Sequence, residues 1–298
     1  MADTPTLPRA QALLAPAVVR LREAGIASPA ADARTLLGWA AGVEPSRLLI
    51  EGIDEAAARR FERAITARAA GTPVQHLTGE AHFRAVRLRV GPGVFLPRPE
   101  TEALAGWAIE RLRELGPTGG ADGGAPLAVD LGAGSGTIAV AIAAECPGCR
   151  IAAVERDPTA VGYLRDNVDR VGACAEWRVV NADMAGALPD LDGQVDVVVS
   201  NPPYIPERDR GLVSPEVLAH DPPAALFAGT DGLDGLRLVA EVASRLLRPG
   251  GWLAVEHDET TGRASVDHLM GTGRFGEVED HRDLTGRPRF VTARKLAG

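Results

Sequence analysis

Val195-Asp196-Val197-Val198-Val199-Ser200-Asn201-Pro202-Pro203-Tyr204 is an apolar, β-branched run that stops at two consecutive prolines. Such a run reads as a buried strand, and prolines end it because they fix φ and offer no N–H to a sheet. The strand therefore finishes in a short carboxamide (Asn201), a rigid extended backbone (Pro202, Pro203) and an aromatic ring (Tyr204). In open α/β sheets the carboxyl edge of the strands is where ligands bind. The Asn201 side-chain oxygen and the Pro202 carbonyl, held by the proline after it, can both accept hydrogen bonds from an –NH2 group. The Tyr204 ring can cover a flat group. The alternative reading is an ordinary strand-to-turn junction, in which none of these residue types is unusual.

A second stretch favours the ligand reading. Leu127-Ala128-Val129-Asp130-Leu131 leads into Gly132-Ala133-Gly134-Ser135-Gly136, and Thr137 to Glu145 follows as an Ala- and aliphatic-rich helix. Glycines allow the tight turn and a close approach of backbone to ligand. The spacing is G-x-G-x-G; it is neither the G-x-G-x-x-G of dinucleotide folds nor a P-loop, which would need Lys-Ser/Thr. An Asp on the strand before the first glycine, here Asp130, is the arrangement of S-adenosylmethionine sites of the class I methyltransferase type. The next strand, Arg150 to Glu155, ends in a carboxylate about twenty residues after the turn, where an acid that binds ribose hydroxyls belongs. A further strand, Trp177 to Val180, ends at Asn181-Ala182-Asp183-Met184, which offers Asp183 to an adenine amino group and Met184 to its ring. Acids at successive strand ends, in this order, are hard to ascribe to chance.

The flanking regions set the organisation. Residues 10–24, 30–42, 46–51 and 54–70 carry apolar residues at helical spacing, with Leu13, Leu14, Val18 and Leu21 as the inward stripe of the first. Residues 1–72 are thus expected to form a helical bundle, 73–97 a β-hairpin linker, and 98–298 the catalytic domain. Pro99 opens a helix over 103–115, and residues 205–227 read as a loop-like lid over the Asn-Pro-Pro-Tyr site. A helix over 232–248, a strand over 251–256, a helix over 261–271 and two late strands, 275–280 and 289–294, complete a sheet closed by an antiparallel hairpin.

The 298-residue chain carries a net charge of −8, and Lys295 is its sole lysine. This balance argues against duplex nucleic acid as a partner, which normally meets a basic face. There is no apolar run long enough to span a membrane and no leader is visible, so a cytoplasmic location is expected. Cys146-Pro147-Gly148-Cys149 has redox-motif spacing but lies between helix and strand, where a thioredoxin-type pair would open a helix after a strand. Only Cys174 remains as a further sulfur ligand, so an incidental loop pair is expected, with no metal site.

Taken together, Gln75-His76-Leu77-Thr78-Gly79-Glu80, Leu96-Pro97-Arg98-Pro99-Glu100-Thr101-Glu102, Asp130 to Gly136, Asn201 to Tyr204, Glu256-His257 and Arg282-Asp283-Leu284-Thr285-Gly286-Arg287 resemble, in order and over about residues 10–295, the peptide chain release factor glutamine N5-methyltransferase family. The resemblance implies a class I S-adenosylmethionine-dependent methyltransferase, with a Rossmann-like seven-stranded sheet, a small N-terminal helical bundle that helps hold the protein substrate, and a β-hairpin linker. It implies S-adenosyl-L-methionine as methyl donor, S-adenosyl-L-homocysteine as product, and as substrate the glutamine of the Gly-Gly-Gln motif of bacterial class 1 release factors; separately, a monomer is expected. Carried over by position, Gly132, Ala133, Gly134, Ser135 and Gly136 with Asp130 cradle the methionine part, Glu155 takes the ribose, and Asp183 and Met184 lie at the adenine. Asn201, Pro202, Pro203 and Tyr204 hold the glutamine side chain, Asn201 also bordering the cofactor. His76, Glu155, Met184 and Asp258 depart from the commoner residues of the family at their positions. His257 is a conceivable base, although a strand-end His is more often structural. The rival readings are a ribosomal-protein glutamine methyltransferase and an N6-adenine nucleic-acid methyltransferase. A nicotinamide oxidoreductase fails on glycine spacing, and a scaffold with a dead cofactor site would need a damaged motif.

Overall fold

The computed structural model describes residues 10–48, 52–172 and 175–297. The chain divides into two compact units, with the division between Glu80 and Ala81.

The first unit is helical: α1 (Ala10–Glu23), α2 (Pro29–Ala41), α3 (Glu55–Ala69) and the short α4 (Val74–Thr78). Leu21, Leu36, Leu37, Phe61 and Ile65 fill its core, and Leu13, Leu14 and Val18 pack against it as the stripe predicts. Local chemistry sets the ends. Asp54 caps α3 by accepting from Ala57 N (2.6 Å), and Gly42 closes α2 at φ 69°, a left-handed position that suits glycine. The helix expected over 46–51 falls partly outside the described residues; the described part is a 3-10 turn, Pro45–Arg47. Residues 74–78, assigned above to the linker, form α4, which ends on Gly79 at φ 75°. The helical unit therefore runs past residue 72, and five residues are too few to show helical periodicity in sequence.

The second unit begins with the hairpin β1 (Glu80–Phe83) and β2 (Val86–Arg89) and continues α5 (Thr101–Leu115), β3 (Leu127–Leu131), α6 (Thr137–Glu145), β4 (Arg150–Glu155), α7 (Pro158–Val171), β5 (Glu176–Asn181), β6 (Val195–Ser200), α8 (Pro215–His220), α9 (Asp234–Leu246), β7 (Leu247–Glu256), α10 (Gly262–Gly271), β8 (Phe275–Arg282) and β9 (Pro288–Lys295). The seven strands after the hairpin form one sheet in the order β5-β4-β3-β6-β7-β9-β8. β3, β4, β5, β6 and β7 are parallel, whereas β9 runs antiparallel to both β7 and β8. Every residue of β3 and β6 is buried, as expected of parallel strands covered on both faces. One face packs Ala128, Ile151, Ala153, Val197 and Val199 under α5, α6 and α7. The other packs Val129, Leu131, Val154 and Val198 under α9 and α10.

Strand order reverses between β3 and β6, the switch point where open α/β sheets form their crevice. Two polar ties hold this junction. Ser200 Oγ donates to the Leu131 carbonyl (2.6 Å) at the carboxyl edge. At the opposite edge, buried Asp196 accepts from Leu127 N (2.8 Å) and from Arg248 Nε (2.5 Å). None of the described helices is long and apolar enough to cross a membrane.

Asp196→Ala leaves the Leu127 amide and the Arg248 guanidinium without their acceptor, so it should destabilise the protein by about 2–3 kcal/mol. Urea unfolding monitored by tryptophan fluorescence measures this; an unchanged midpoint would show that the tie carries no stability.

Candidate active site

A cavity of about 650 Å³ opens at the carboxyl edges of β3, β4, β5 and β6, well within the usual range for a small-molecule site. Most of the residues singled out from sequence line it: Asp130, Gly132, Ala133, Gly134, Ser135, Glu155, Asp183, Met184, Asn201, Pro202 and Pro203. Two do not. Gly136 closes the turn behind the wall, and Tyr204 is turned away from the cavity.

The glycine turn is held from below. Gly132 N and Ala133 N both donate to the Val154 carbonyl (2.9 and 3.0 Å), and Gly136 N to Ala133 O (2.8 Å). Gly132, Gly134 and Gly136 all have positive φ (73°, 56° and 87°). A Cβ at Gly136 would also lie 2.6 Å from Leu164 Cδ1, so α7 packs directly against the turn. Asn167 of α7 completes the brace: its Nδ2 donates to Ser135 O and to Arg89 O (2.9 Å each), and its Oδ1 accepts from Arg89 N (2.6 Å). Sequence reasoning missed Asn167, because its partners lie 32 and 78 residues away.

The carboxylates differ in their surroundings. Asp130 is buried; its Oδ2 accepts from Ala139 N (3.1 Å), while Oδ1 has no partner. Burial pushes this carboxyl up to about 7, against the pull of the Ala139 amide and with the push of the Glu155 charge. An unpartnered buried oxygen in a cavity wall is suited to receive a donor or cation from a ligand. Glu155 is already engaged by backbone, accepting from Gly134 N (2.9 Å) and Asp157 N (2.8 Å), which aims the carboxylate across the glycine turn. Each oxygen retains lone-pair capacity for ligand hydroxyls. Asp183 Oδ1 accepts from Ala185 N (2.9 Å), and Met184 Cε lies 3.5 Å from where a Cβ on Gly132 would stand. The acid and the thioether thus share one wall with the glycine turn.

On the β6 side, Asn201 Nδ2 donates to Thr101 Oγ1 (3.1 Å), at the start of α5. With the nitrogen anchored, Asn201 presents its Oδ1 as the acceptor. The prolines are backed by α9 at close range: a Cβ on Gly235 would stand 2.5 Å from Pro203 O and 2.9 Å from Pro202 Cβ. Tyr204 departs from the expectation that its ring covers a bound group. Its hydroxyl is turned toward Glu256 at the end of β7, and burial and that carboxylate push the phenol well above its usual range. Glu256 is fully buried, and burial raises it to about 7 although the Thr101 hydroxyl, the Arg289 charge and the Tyr204 hydroxyl oppose the shift. Those hydroxyls face the carboxyl, but neither of its oxygens closes a hydrogen bond of ordinary geometry. His257 is buried outside the cavity, with Nδ1 against Asp258 O (2.8 Å) and Nε2 against Asp280 Oδ1 (3.1 Å), a structural placement.

The segment after Tyr204 is more ordered than its loop-like composition suggests. It holds a 3-10 turn (Glu207–Leu212), α8 and a second 3-10 turn (Pro223–Ala225). Its ends are stitched together by Ile205 N to Leu226 O (2.9 Å) and Ala228 N to Ile205 O (3.0 Å). Pro222, Ala224, Ala225, Phe227 and Ala228 line the cavity, so the segment roofs the site. Arg98, from the Pro97-Arg98-Pro99 stretch, pairs with the buried Asp221 of this roof and also lies 5.0 Å from the Phe95 ring centre. Cys146 and Cys149 are buried away from the cavity, Sγ to Sγ 2.8 Å apart; hydrogen bonding from Cys149 lowers Cys146 to about 7 and raises its partner. Cys174 lies outside the described residues, among which no cluster of three or more His, Cys, Asp or Glu side chains suits a metal.

Two family models match the chain: PrmC N-terminal domain over residues 12–79 and Methyltransferase small domain over residues 124–229. A release factor glutamine methyltransferase of Streptomyces coelicolor is 46% identical over 283 residues, covering 95% of this chain and 96% of that protein. The chain belongs to the release factor glutamine methyltransferase family. Family members of the same name from Mycolicibacterium smegmatis (43% identical, 94% of this chain, 96% of that protein) and Deinococcus radiodurans (40%, 96% and 98%) align over nearly their whole lengths. Among solved structures, the hMettl16 catalytic domain in complex with MAT2A 3'UTR hairpin 6 aligns at a TM-score of 0.52, with 14% identity, over 70% of this chain and 75% of that one. That likeness concerns the fold alone. The N-terminal family model ends at residue 79, one residue before the division between the two units.

Asp221→Ala should release the roof from Arg98. Limited trypsin digestion is expected to cut at Arg208 and Arg210 at least about fivefold faster than in wild type, as local opening becomes easier. An unchanged cleavage rate would show that the roof is held by other contacts.

Proposed function

We propose that this chain transfers the methyl group of S-adenosyl-L-methionine to the side-chain amide nitrogen, N5, of the glutamine in the Gly-Gly-Gln motif of class 1 peptide chain release factors. The observation that carries the reading is the anchored Asn201 carboxamide: its nitrogen is committed to Thr101, so its oxygen is the acceptor offered beside the Pro202 carbonyl. An –NH2 group has two hydrogens for those two acceptors.

The cavity fits the methyl donor. The glycine turn admits close backbone approach, the orphaned Asp130 Oδ1 suits a cationic or N–H-bearing group, Glu155 suits a ribose diol, and Asp183 with Met184 suits an adenine edge and face. When bound, S-adenosyl-L-methionine supplies an electrophilic methyl on a sulfonium that carries its own leaving group. The chain's part is positional and electrostatic. An amide nitrogen is a weak nucleophile because its lone pair is shared with the carbonyl. Accepting both N–H bonds at Asn201 Oδ1 and the Pro202 carbonyl fixes the nitrogen and raises its electron density. Alignment of this kind is worth roughly 7–11 kcal/mol of barrier. Residues 222–228 roof the site, and the amide proton leaves late, to solvent. The helical unit is assigned to holding the release factor, and the cytoplasm is where that partner is met.

The N6-adenine reading shares the –NH2 receptor, but the family relationship spans almost the whole chain and the net charge is −8. A ribosomal-protein glutamine would require the same chemistry and differs only in the docked partner. Purified protein with labelled S-adenosyl-L-methionine should label release factor, and not ribosomal protein or DNA. Asn201→Ala should cut that turnover by about 10²–10³-fold, as loss of a preorganised polar contact does, with cofactor affinity nearly unchanged. Near-normal turnover would contradict the role given to this side chain.

Asp130 should make cofactor binding pH-dependent. Its carboxyl sits near 7 in the free protein, so below that pH a proton competes with the cationic ligand. Affinity measured by calorimetry should rise between about pH 6 and 8, with proton release on binding, and Asp130→Asn should flatten the profile. A flat wild-type profile would exclude Asp130 from the cofactor contact.

A further inference from the structure

Cys146-Pro147-Gly148-Cys149 joins α6 to β4, a position that suggests an incidental pair. The backbone brings the two cysteines together by design of the turn. Proline sets φ for the second residue of a β-turn, and glycine takes the positive φ that the third residue of a type II turn requires. Gly148 stands at φ 90°, and Cys149 N donates to the Cys146 carbonyl (3.3 Å), so the cysteines are the first and last residues of that turn. The turn is also fixed from outside. Cys146 N donates to Ile142 O (2.7 Å), Glu176 N to Cys149 O (3.2 Å) and Arg150 N to Pro126 O (2.8 Å). Arg113 donates twice to the Glu145 carbonyl (3.1 and 2.6 Å), which brings its guanidinium close to Cys146. Both cysteines are buried with their sulfurs held 2.8 Å apart. A disulfide needs about 2.05 Å, so a small movement of the side chains closes the bond.

We propose that Cys146 and Cys149 form a modification site at which hydrogen peroxide converts the dithiol reversibly into a disulfide. Cys146 is the attacking thiol. It keeps 8% exposure against 2% for Cys149, and a small oxidant can use that opening. Hydrogen bonding from Cys149, and then the Arg113 charge, favour its thiolate over the opposing effect of burial and lower it to about 7. The Cys146 thiolate attacks one peroxide oxygen, the O–O bond breaks, and the departing hydroxide takes up the proton that Cys146 lost, giving water. The sulfenic acid left on Cys146 is then attacked by the Cys149 sulfur. Its S–O bond breaks, and the oxygen leaves with the Cys149 proton as a second water. Two thiols lose two electrons in all, and the peroxide gains them. A resolving thiol this near stops the sulfenic acid from passing on to the irreversible acids. The pair precedes the amino end of β4, whereas the cavity opens at the carboxyl edges, so the disulfide leaves the cofactor site as it is.

The full chain, treated with hydrogen peroxide and quenched with catalase, is unfolded, alkylated with iodoacetamide and digested with trypsin. Cleavage after arginine puts both cysteines in residues 114–150 and Cys174 in residues 171–178. The first peptide should come out unalkylated and two hydrogens lighter than the dithiol, and doubly alkylated when dithiothreitol precedes the alkylation. Cys149→Ser should accumulate the Cys146 sulfenic acid, with at least about tenfold more dimedone adduct than wild type, and Cys146→Ser should leave Cys149 alkylatable. Calorimetric affinity for S-adenosyl-L-methionine should be the same within about twofold before and after oxidation. A wild-type peptide that stays doubly alkylated overturns the proposal, as does a sulfinic acid at Cys146 beside an alkylated Cys149. A bridge to residues 171–178, or a dimedone adduct on Cys149 in place of Cys146, overturns it too. The wild-type digest decides should a serine variant fail to fold. Loss of cofactor affinity on oxidation would contradict the separation of this site from the cavity.

Discussion

The hydrogen bond from Ser200 Oγ to the Leu131 carbonyl pins the ends of β3 and β6 side by side, and the rest of the site depends on that adjacency. Register pairs Asp130 with Val199, so the glycine turn leaves one strand beside Asn-Pro-Pro-Tyr leaving the other. β4 and β5 continue outward on one flank and bring Glu155 and then Asp183 to the same edge. Inserting one strand between β3 and β6 would move Asn201 about 4.8 Å farther from the turn, out of in-line reach of a methyl donor seated there. The strand-order reversal is thus a chemical requirement as well as a topological one.

Much of this was legible because parallel strands buried on both faces spell themselves out. Leu127 to Leu131 and Val195 to Ser200 are unbroken buried runs, and glycine and proline mark where each stops. The acids at the strand ends then follow in order. What the sequence hid is of two kinds. Short elements such as α4 and α8, of five and six residues, carry no period to detect. Long-range polar contacts carry no local signal at all: Asn201 with Thr101 is separated by 100 residues, and Arg98 with Asp221 by 123. The orientation of Tyr204 belongs to the second kind. A tyrosine at a strand end suggests a stacking platform, but the Tyr204 hydroxyl is buried outside the cavity lining.

The site concentrates its cost in two buried carboxyls. Burial raises both Asp130, in the cavity wall, and Glu256, at the end of β7, to about 7. Neither arrangement favours folding, since burial of an under-satisfied acid opposes it. At Asp130 a donor or cation entering the cavity would offset that cost, since its unpartnered Oδ1 belongs to a residue of the cavity wall. Rigid backing elsewhere makes such strain tolerable, with Asn167 bracing the glycine turn and Gly235 seating α9 against the prolines.

The central claim is that an –NH2 group is gripped between Asn201 Oδ1 and the Pro202 carbonyl. A crystal structure of the protein with S-adenosyl-L-homocysteine and a peptide containing Gly-Gly-Gln tests it most directly. The account predicts the glutamine amide nitrogen within hydrogen-bond distance of both acceptors, with its free face toward the homocysteine sulfur. A glutamine bound with its carbonyl oxygen against Asn201, or lodged outside this cavity, would contradict it.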